Sequence, residues 1–259
     1  MSKEKVIASV LSQEKLAPGV YSMWIKTSLA KSACAGQFIS IYTKDRSKLL
    51  PRPISICEIG EDRLRIVYRI AGAGTEEFSS YAEGDEITIL GPLGNGFPVD
   101  IEETNVENTA LLIGGGIGIP PMLGLAEALK CKKAVVAGYR SKNDLFLDGE
   151  LKANGELYIA TDDGSLGVNG TVIDAIKQNA INADVIFACG PKPMLKAVKA
   201  YANEIGIKAY ISMEERMACG VGACLGCVCK STDKDDHSKV NNKRICKDGP
   251  VFLTTEVEL

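Results

Sequence analysis

Five of the nine cysteines in this chain fall within its last 41 positions, at Cys219, Cys224, Cys227, Cys229 and Cys246. Four residues separate Cys219 from Cys224, two separate Cys224 from Cys227, and 18 separate Cys227 from Cys246. A CxxxxCxxC run with a distant fourth cysteine has the ligand spacing of a plant-type 2Fe-2S cluster. On that reading Cys219, Cys224, Cys227 and Cys246 are the ligands, and Cys229 is spare. Gly220, Gly222 and Gly226 suit such a loop, because a chain wrapping an inorganic core must bring its amides close to the sulfurs. Four cysteines would also hold a structural zinc. A Rieske centre needs two histidines, and His237 is the only one; it lies in the polar run STDKDDHSKVNNK and reads as a solvated loop residue. Cys34, Cys57 and Cys131 stand alone and read as small buried hydrophobes.

A second kind of chemistry is written upstream. LLIGGGIGIPP, residues 111–121, is a strand running into a glycine-rich turn and then a helix. Such a turn lets the backbone approach a pyrophosphate and aims helix amides at it, although the same pattern also serves plain packing. The strict GxGxxG register fails at Ile119, and Gly138-Tyr139-Arg140 supplies no acidic residue for a ribose. Thr161-Asp162-Asp163-Gly164-Ser165 and Cys189-Gly190-Pro191 each follow an apolar strand, where parallel sheets bind ligands. Asp162 and Asp163 also read as solvated or capping residues. Nearer the N-terminus, Arg52 precedes Pro53-Ile54-Ser55, and Gly74-Thr75 opens a helical turn; both suit an anion, and Arg52 could grip a phosphate with two donors. RLRIVYRI puts Arg63, Arg65, Val67 and Arg69 on one face, and for Arg63 and Arg65 a solvated outer face is expected.

The elements that must position these residues divide the chain in three. Residues 1–100 hold VIASVL, VYSMWIK, GQFISIY, PISICEI, RLRIVYRI and DEITILG, short strands punctuated by turns, which predict an antiparallel β-barrel. In residues 101–213, apolar strands (TALLIGG, AVVAGYR, ELYIAT, DVIFACG, KAYISM) alternate with the helical segments PMLGLAEALK, TVIDAIKQN and PMLKAVKAYANEIG. That alternation predicts an α/β domain on a parallel sheet. Residues 214–259 carry the cysteine array. The fold class is therefore a β-barrel plus α/β, with a C-terminal 2Fe-2S segment.

Composition narrows the function. Formal net charge is −3 and 24% of residues are charged, which leaves no basic footprint for nucleic acid. No stretch has the roughly 20 apolar residues of a bilayer span, and MSKEKVIASV lacks a signal-peptide core, so a cytoplasmic, reducing location is expected. Neither HExxH nor a serine elbow is present.

RPIS, GxGT, LLIGGGIGIPP, TDDGS, ACGP and the cysteine array, in that order, resemble the electron-transfer subunits of NAD-linked dihydroorotate dehydrogenases, within the wider ferredoxin reductase family. The resemblance covers essentially the whole chain. It implies FAD in the barrel, NAD in the α/β domain and a 2Fe-2S cluster at the end. It also implies an FMN-containing dihydroorotate dehydrogenase catalytic subunit as partner, in a heterotetramer. Carried over residue by residue, Arg52, Pro53, Ile54 and Ser55 would hold the flavin and its phosphate, Val67, Tyr68 and Arg69 would line it, and Gly74 and Thr75 would bind its pyrophosphate. Gly115, Gly116, Gly118, Thr161, Asp163, Gly164, Ser165, Cys189, Gly190 and Pro191 would surround the nicotinamide cofactor. Two other readings compete: a paralogous NAD(P)H:ferredoxin or sulfur reductase subunit, which would share every one of these motifs, and a zinc-stabilised binding module, for which the four cysteines suffice.

Overall fold

A computed structural model describes residues 3–234 and 239–259, so His237 lies outside the described residues. The first six strands are β1 (Glu4–Ala17), β2 (Val20–Lys26), β3 (Phe38–Tyr42), β4 (Arg52–Ile59), β5 (Arg63–Arg69) and β6 (Glu86–Leu93). They close into a barrel in the order β1-β2-β5-β4-β3-β6, every pair antiparallel. Alternation sends Ile25, Ile39, Ile56, Leu64, Ile66 and Ile89 inward, where each is at most 1% exposed. β1 is longer than VIASVL suggests. Its first half pairs with β6 and its second with β2, with register shifts at Val10/Ser12 and Lys15/Ala17, because a closed barrel needs a strand that passes from one neighbour to the next. The short helix α1 (Ala73–Phe78) follows β5 and plugs the barrel with Phe78.

Beyond residue 100 come β7 (Thr109–Gly115), α2 (Ile119–Ala128), β8 (Lys132–Tyr139), α3 (Asp148–Asn154), β9 (Glu156–Thr161), β10 (Val168–Asn169), α4 (Val172–Gln178), β11 (Val185–Cys189), α5 (Lys192–Ile205) and β12 (Lys208–Ser212). The sheet order is β10-β9-β8-β7-β11-β12, all parallel, with α2 and α3 on one face and α4 and α5 on the other. Strand order reverses between β7 and β11, which makes their carboxyl ends the switch point where a ligand crevice opens. α3 carries no periodicity to read, since it has seven residues and one buried side chain, Leu151.

The cysteine segment adds the hairpin β13 (Val228–Lys230) and β14 (Asn242–Arg244), then β15 (Val251–Leu253). β15 pairs antiparallel with β12 as the seventh strand of the sheet, so the segment shares a core with the α/β domain. The parallel sheet expected from the alternation thus gains an antiparallel edge. Asn95, on the loop leaving the barrel, donates its amide to Gly249 O at 2.7 Å and its side chain to Lys247 O and Asp248 O. The segment is thereby tied to barrel and sheet together.

One expectation is corrected. Arg63 is exposed and lies over the Trp24 ring, as an outer-face residue should, but Arg65 is 6% exposed. α2 and α3 cover that part of the barrel wall, which the strand alternation alone does not reveal.

Candidate functional site

A cleft of about 810 Å³ opens between barrel and sheet at the switch point. Register sets its floor: Gly114, Cys189 and Ser212 lie abreast on β7, β11 and β12. The turn after β7 folds tightly over this floor. A Cβ on Gly118 would stand 2.2 Å from Cys189 O, so the glycine is required for backbone to meet backbone. Gly116, at φ +53 with no neighbour within 4 Å, instead supplies the left-handed turn. Burial pushes the Cys189 thiol up to about 12, against a hydrogen bond with Ser212.

The barrel side is made by the start of β4 and the end of β5. Arg52, Pro53, Ile54, Ser55, Val67, Tyr68 and Arg69 all line the cleft, as does Thr75. Gly74 stands behind them: a Cβ there would lie 2.2 Å from Arg52 Nε, so Gly74 leaves the room the guanidinium occupies. Arg52 also donates to Leu50 O. Thr75 accepts from Ala71 N at 2.8 Å and donates to Gly72 O at 3.0 Å, which shapes the turn into α1. Tyr68 borders the cleft, yet its hydroxyl is held by Gln13 at 2.8 Å and its ring stacks on Tyr21; burial raises its pKa. Arg69 Nε is buried with no protein partner. A buried cationic donor without an acceptor at a cleft wall fits an anionic or carbonyl-bearing group such as a flavin nucleotide.

Gly115, Gly116, Gly118, Cys189, Gly190 and Pro191 line the opposite wall. Thr161, Asp163, Gly164 and Ser165 do not. Thr161 Oγ1 donates to Leu166 O and accepts from Leu166 N, Asp163 Oδ1 accepts from Ser165 N and Oγ, and Ser165 Oγ accepts from Lys142 N, so these side chains are engaged by their own turn and by the loop after β8. Asp162 takes their place at the cleft, beside Arg140, Asp144 and Thr171. Ser212, Met213, Glu214, Glu215 and Met217 also line it and were not anticipated. The strand-end rule applied to β12 would have found the first three.

Met217 is on the cleft wall, and Cys219, two residues on, begins the cysteine loop. Cys224 is exposed, Cys219 half-buried, Cys227 and Cys246 buried. Cys224 lies beside Cys219, and Cys227 beside Cys246. Among the described residues no three Cys, His, Asp or Glu side chains close on a point for a single ion. Amides point at the sulfurs: Val221 and Ala223 at Cys219 (3.5 and 3.3 Å), Gly226 at Cys224 (3.4 Å), Cys246 at Cys227 (3.4 Å). Partial burial opposes a Cys219 thiolate, but donors from Val221, Cys224 and Ala223 outweigh it and bring the thiol down to about 6. Burial and the neighbouring Cys227 push Cys246 up to about 12. Two thiol pairs with amides aimed at sulfur fit a two-iron core, which takes two thiolates at each iron. Cys229 is buried on β13 and pairs with neither.

Residues 214–258 match the family described as the iron-sulfur cluster binding domain of dihydroorotate dehydrogenase B, and residues 112–200 match the oxidoreductase NAD-binding domain. A relative from Fusobacterium nucleatum, the dihydroorotate dehydrogenase B (NAD(+)) electron transfer subunit, is 44% identical over 256 residues, 95% of each chain. The subunit of the same name from Listeria monocytogenes serotype 4a is 45% identical over 255 residues, 96% of this chain and 97% of its own. The chain belongs to this family of electron transfer subunits. Members are parts of an oxidoreductase, and the family name carries its place in dihydroorotate oxidation. Among solved structures, an NADH-dependent reduced ferredoxin-NADP oxidoreductase chain is 30% identical with a TM-score of 0.84, covering 98% of this chain and 90% of its own. A ferredoxin NADP+ reductase from Neisseria gonorrhoeae, 17% identical, shares the fold alone (TM-score 0.66, covering 83% of this chain and 95% of its own). No helix among the described residues is long and apolar enough to cross a membrane.

Proposed function

We propose that this subunit passes electrons from an FMN-containing dihydroorotate dehydrogenase catalytic subunit to NAD+, by way of a 2Fe-2S cluster and FAD, in a cytoplasmic heterotetramer serving pyrimidine biosynthesis. Residues 1–100 hold FAD, 101–213 hold NAD and 214–259 hold the cluster. The observation that carries the reading is adjacency: Met217 lines the cleft while Cys219 opens the cysteine loop. A flavin exchanges a hydride with a nicotinamide and single electrons with a cluster, which is the chemistry these groups supply when bound.

The chain's own residues bind and orient. Arg52 and Thr75 take the flavin's phosphates, with Gly74 leaving the room the Arg52 guanidinium needs, the partnerless Arg69 Nε takes an acceptor of the same group, and Pro53, Ile54, Ser55, Val67 and Tyr68 border it. Gly115, Gly116 and Gly118 give the dinucleotide close backbone approach; Cys189-Gly190-Pro191 form the floor. Thr161, Asp163, Gly164 and Ser165 act on the dinucleotide through the loop they brace, with Asp162 at the cleft. Cys219, Cys224, Cys227 and Cys246 ligate the cluster, and the exposed Cys224 faces the catalytic partner. No acid-base side chain is required, so the chain's contribution is placement and electrostatics.

Cys224→Ser tests this. Coupled oxidation of dihydroorotate by NAD+ should be lost in the complex, while NADH still reduces the flavin. Unchanged coupled turnover would sink the assignment. The 30% likeness to an NADH-dependent reduced ferredoxin-NADP oxidoreductase favours a second reading, a ferredoxin-linked reductase subunit. Copurification without an FMN-bearing partner, and spectra unmoved by dihydroorotate, would decide for it.

A further inference from the structure

The buried guanidinium of Arg65 has no place in the chemistry above. Its Nε donates to Ser22 Oγ at 2.8 Å and its NH1 to Glu58, both on the barrel. NH1 and NH2 also reach Glu150 Oε1 on α3 at 3.4 and 3.5 Å, and NH2 lies 3.7 Å from Glu14. One side chain therefore spans from the barrel wall to the nucleotide domain. Its charge faces an excess of acid, since Glu127 on α2 also stands beside Glu58; burial and the Glu58 charge push that carboxyl up to about 7. Next to this cluster the two domains meet without slack. A Cβ on Gly124 of α2 would lie 2.2 Å from Cys57 O of β4, so helix backbone rests on strand backbone.

The same elements run from this joint to the cleft. β5 carries Arg65 at the joint and Arg69 at the cleft wall, four residues or about 13 Å apart. β4 runs from Arg52 at the cleft to Glu58 at the joint, and α2 leaves the glycine turn at Ile119 and reaches Gly124 and Glu127. A tilt at one end moves the other. Stability alone does not account for an arginine here, because a buried ion pair is often matched by an apolar side chain of similar size. We propose that Arg65 is a positioning residue: by clasping Glu150 of α3 to Glu58 and Ser22 of the barrel, it sets the separation between the glycine turn and the barrel edge, and so the fit of the dinucleotide against the flavin site. This rests on the reading of the cleft given above.

The test uses the flavin-loaded chain, with NADH oxidation followed by ferricyanide reduction and hydrogen exchange followed at the amides of residues 115–118. Glu150→Gln, on the half-exposed side, loosens the clasp without threatening the fold; Arg65→Met removes it, and Arg65→Lys keeps the charge. A displacement near one ångström in a reacting pair is worth up to about a hundredfold. Arg65→Met is therefore expected to lower kcat/KM for NADH about tenfold, with faster exchange at 115–118 and flavin and iron contents unchanged. Glu150→Gln should move both readouts the same way by less, and Arg65→Lys should recover part of the loss. Wild-type values of kcat/KM and of exchange in both Arg65→Met and Glu150→Gln would overturn the proposal, as would a lower melting temperature with neither readout moved. Failure of the wild-type protein to oxidise NADH would count against the function itself, and the exchange measurement would still decide the clasp.

Discussion

Gly118→Ala is the sharpest probe of how the cleft is built. The new Cβ would sit 2.2 Å from Cys189 O, 2.4 Å from its carbonyl carbon and 2.7 Å from Gly190 N. Carbon and oxygen need about 3.3 Å, so the turn and the end of β11 must part by about 1 Å. Every atom in the way is backbone, tied into the β7–β11 ladder, and no side chain can swing aside. Overpacking of this kind costs about 1–3 kcal/mol, and a site with no rotamer to yield belongs at the upper end. At roughly 2–4 °C per kcal/mol for a chain this long, the melting temperature should fall about 6–12 °C. Gly116→Ala is the control. Gly116 has φ +53 but open space around it, so it should lose only the left-handed penalty of about 1 kcal/mol. Backbone angle alone ranks the two the other way, since Gly118 has φ −83. Thermal melts and KM for NADH measure both variants. If Gly118→Ala proves no worse than Gly116→Ala, the close-approach argument is wrong.

Two further outcomes are expected. Cys229→Ala should keep its full iron and sulfide content while losing about 1–2 kcal/mol from the core around β13, measured by metal analysis and urea unfolding; loss of iron would restore Cys229 as a ligand candidate. Glu77 anchors α1: burial would raise its carboxyl, but donors from Tyr81, Lys48 and the Lys44 amide outweigh that and hold it below the usual carboxylate range. Its contribution is therefore fully present above the ordinary carboxylate pKa and is lost as pH falls through the lower folded value. Glu77→Gln should flatten the acid limb of melting temperature against pH, and an unchanged limb would show that other carboxylates govern it.

The four-cysteine array, the barrel and the alternation of strand and helix were legible in order and spacing, because ligand geometry and periodicity are local properties of a chain. The strand ends at Gly115 and Cys189 were legible for the same reason: a glycine after an apolar strand marks a turn wherever the strand finally sits. Arg65 shows where that kind of reading ends. Its alternation placed it on the outside of the barrel, correctly, but whether an outer face meets water or another domain depends on where α2 and α3 come to rest. TDDGS likewise reads as a site turn, yet Thr161 and Asp163 close hydrogen bonds within their own loop and Asp162 alone reaches the cleft. The short apolar run Val251–Leu253 becomes an edge strand of the nucleotide sheet as β15. Spacing along the chain thus determined which chemistry the protein can hold. Long-range packing decided how those groups face one another, because the contacts that seat the cysteine loop beside the cleft join residues far apart in the chain, Ser212 with Val251 and Asn95 with Gly249.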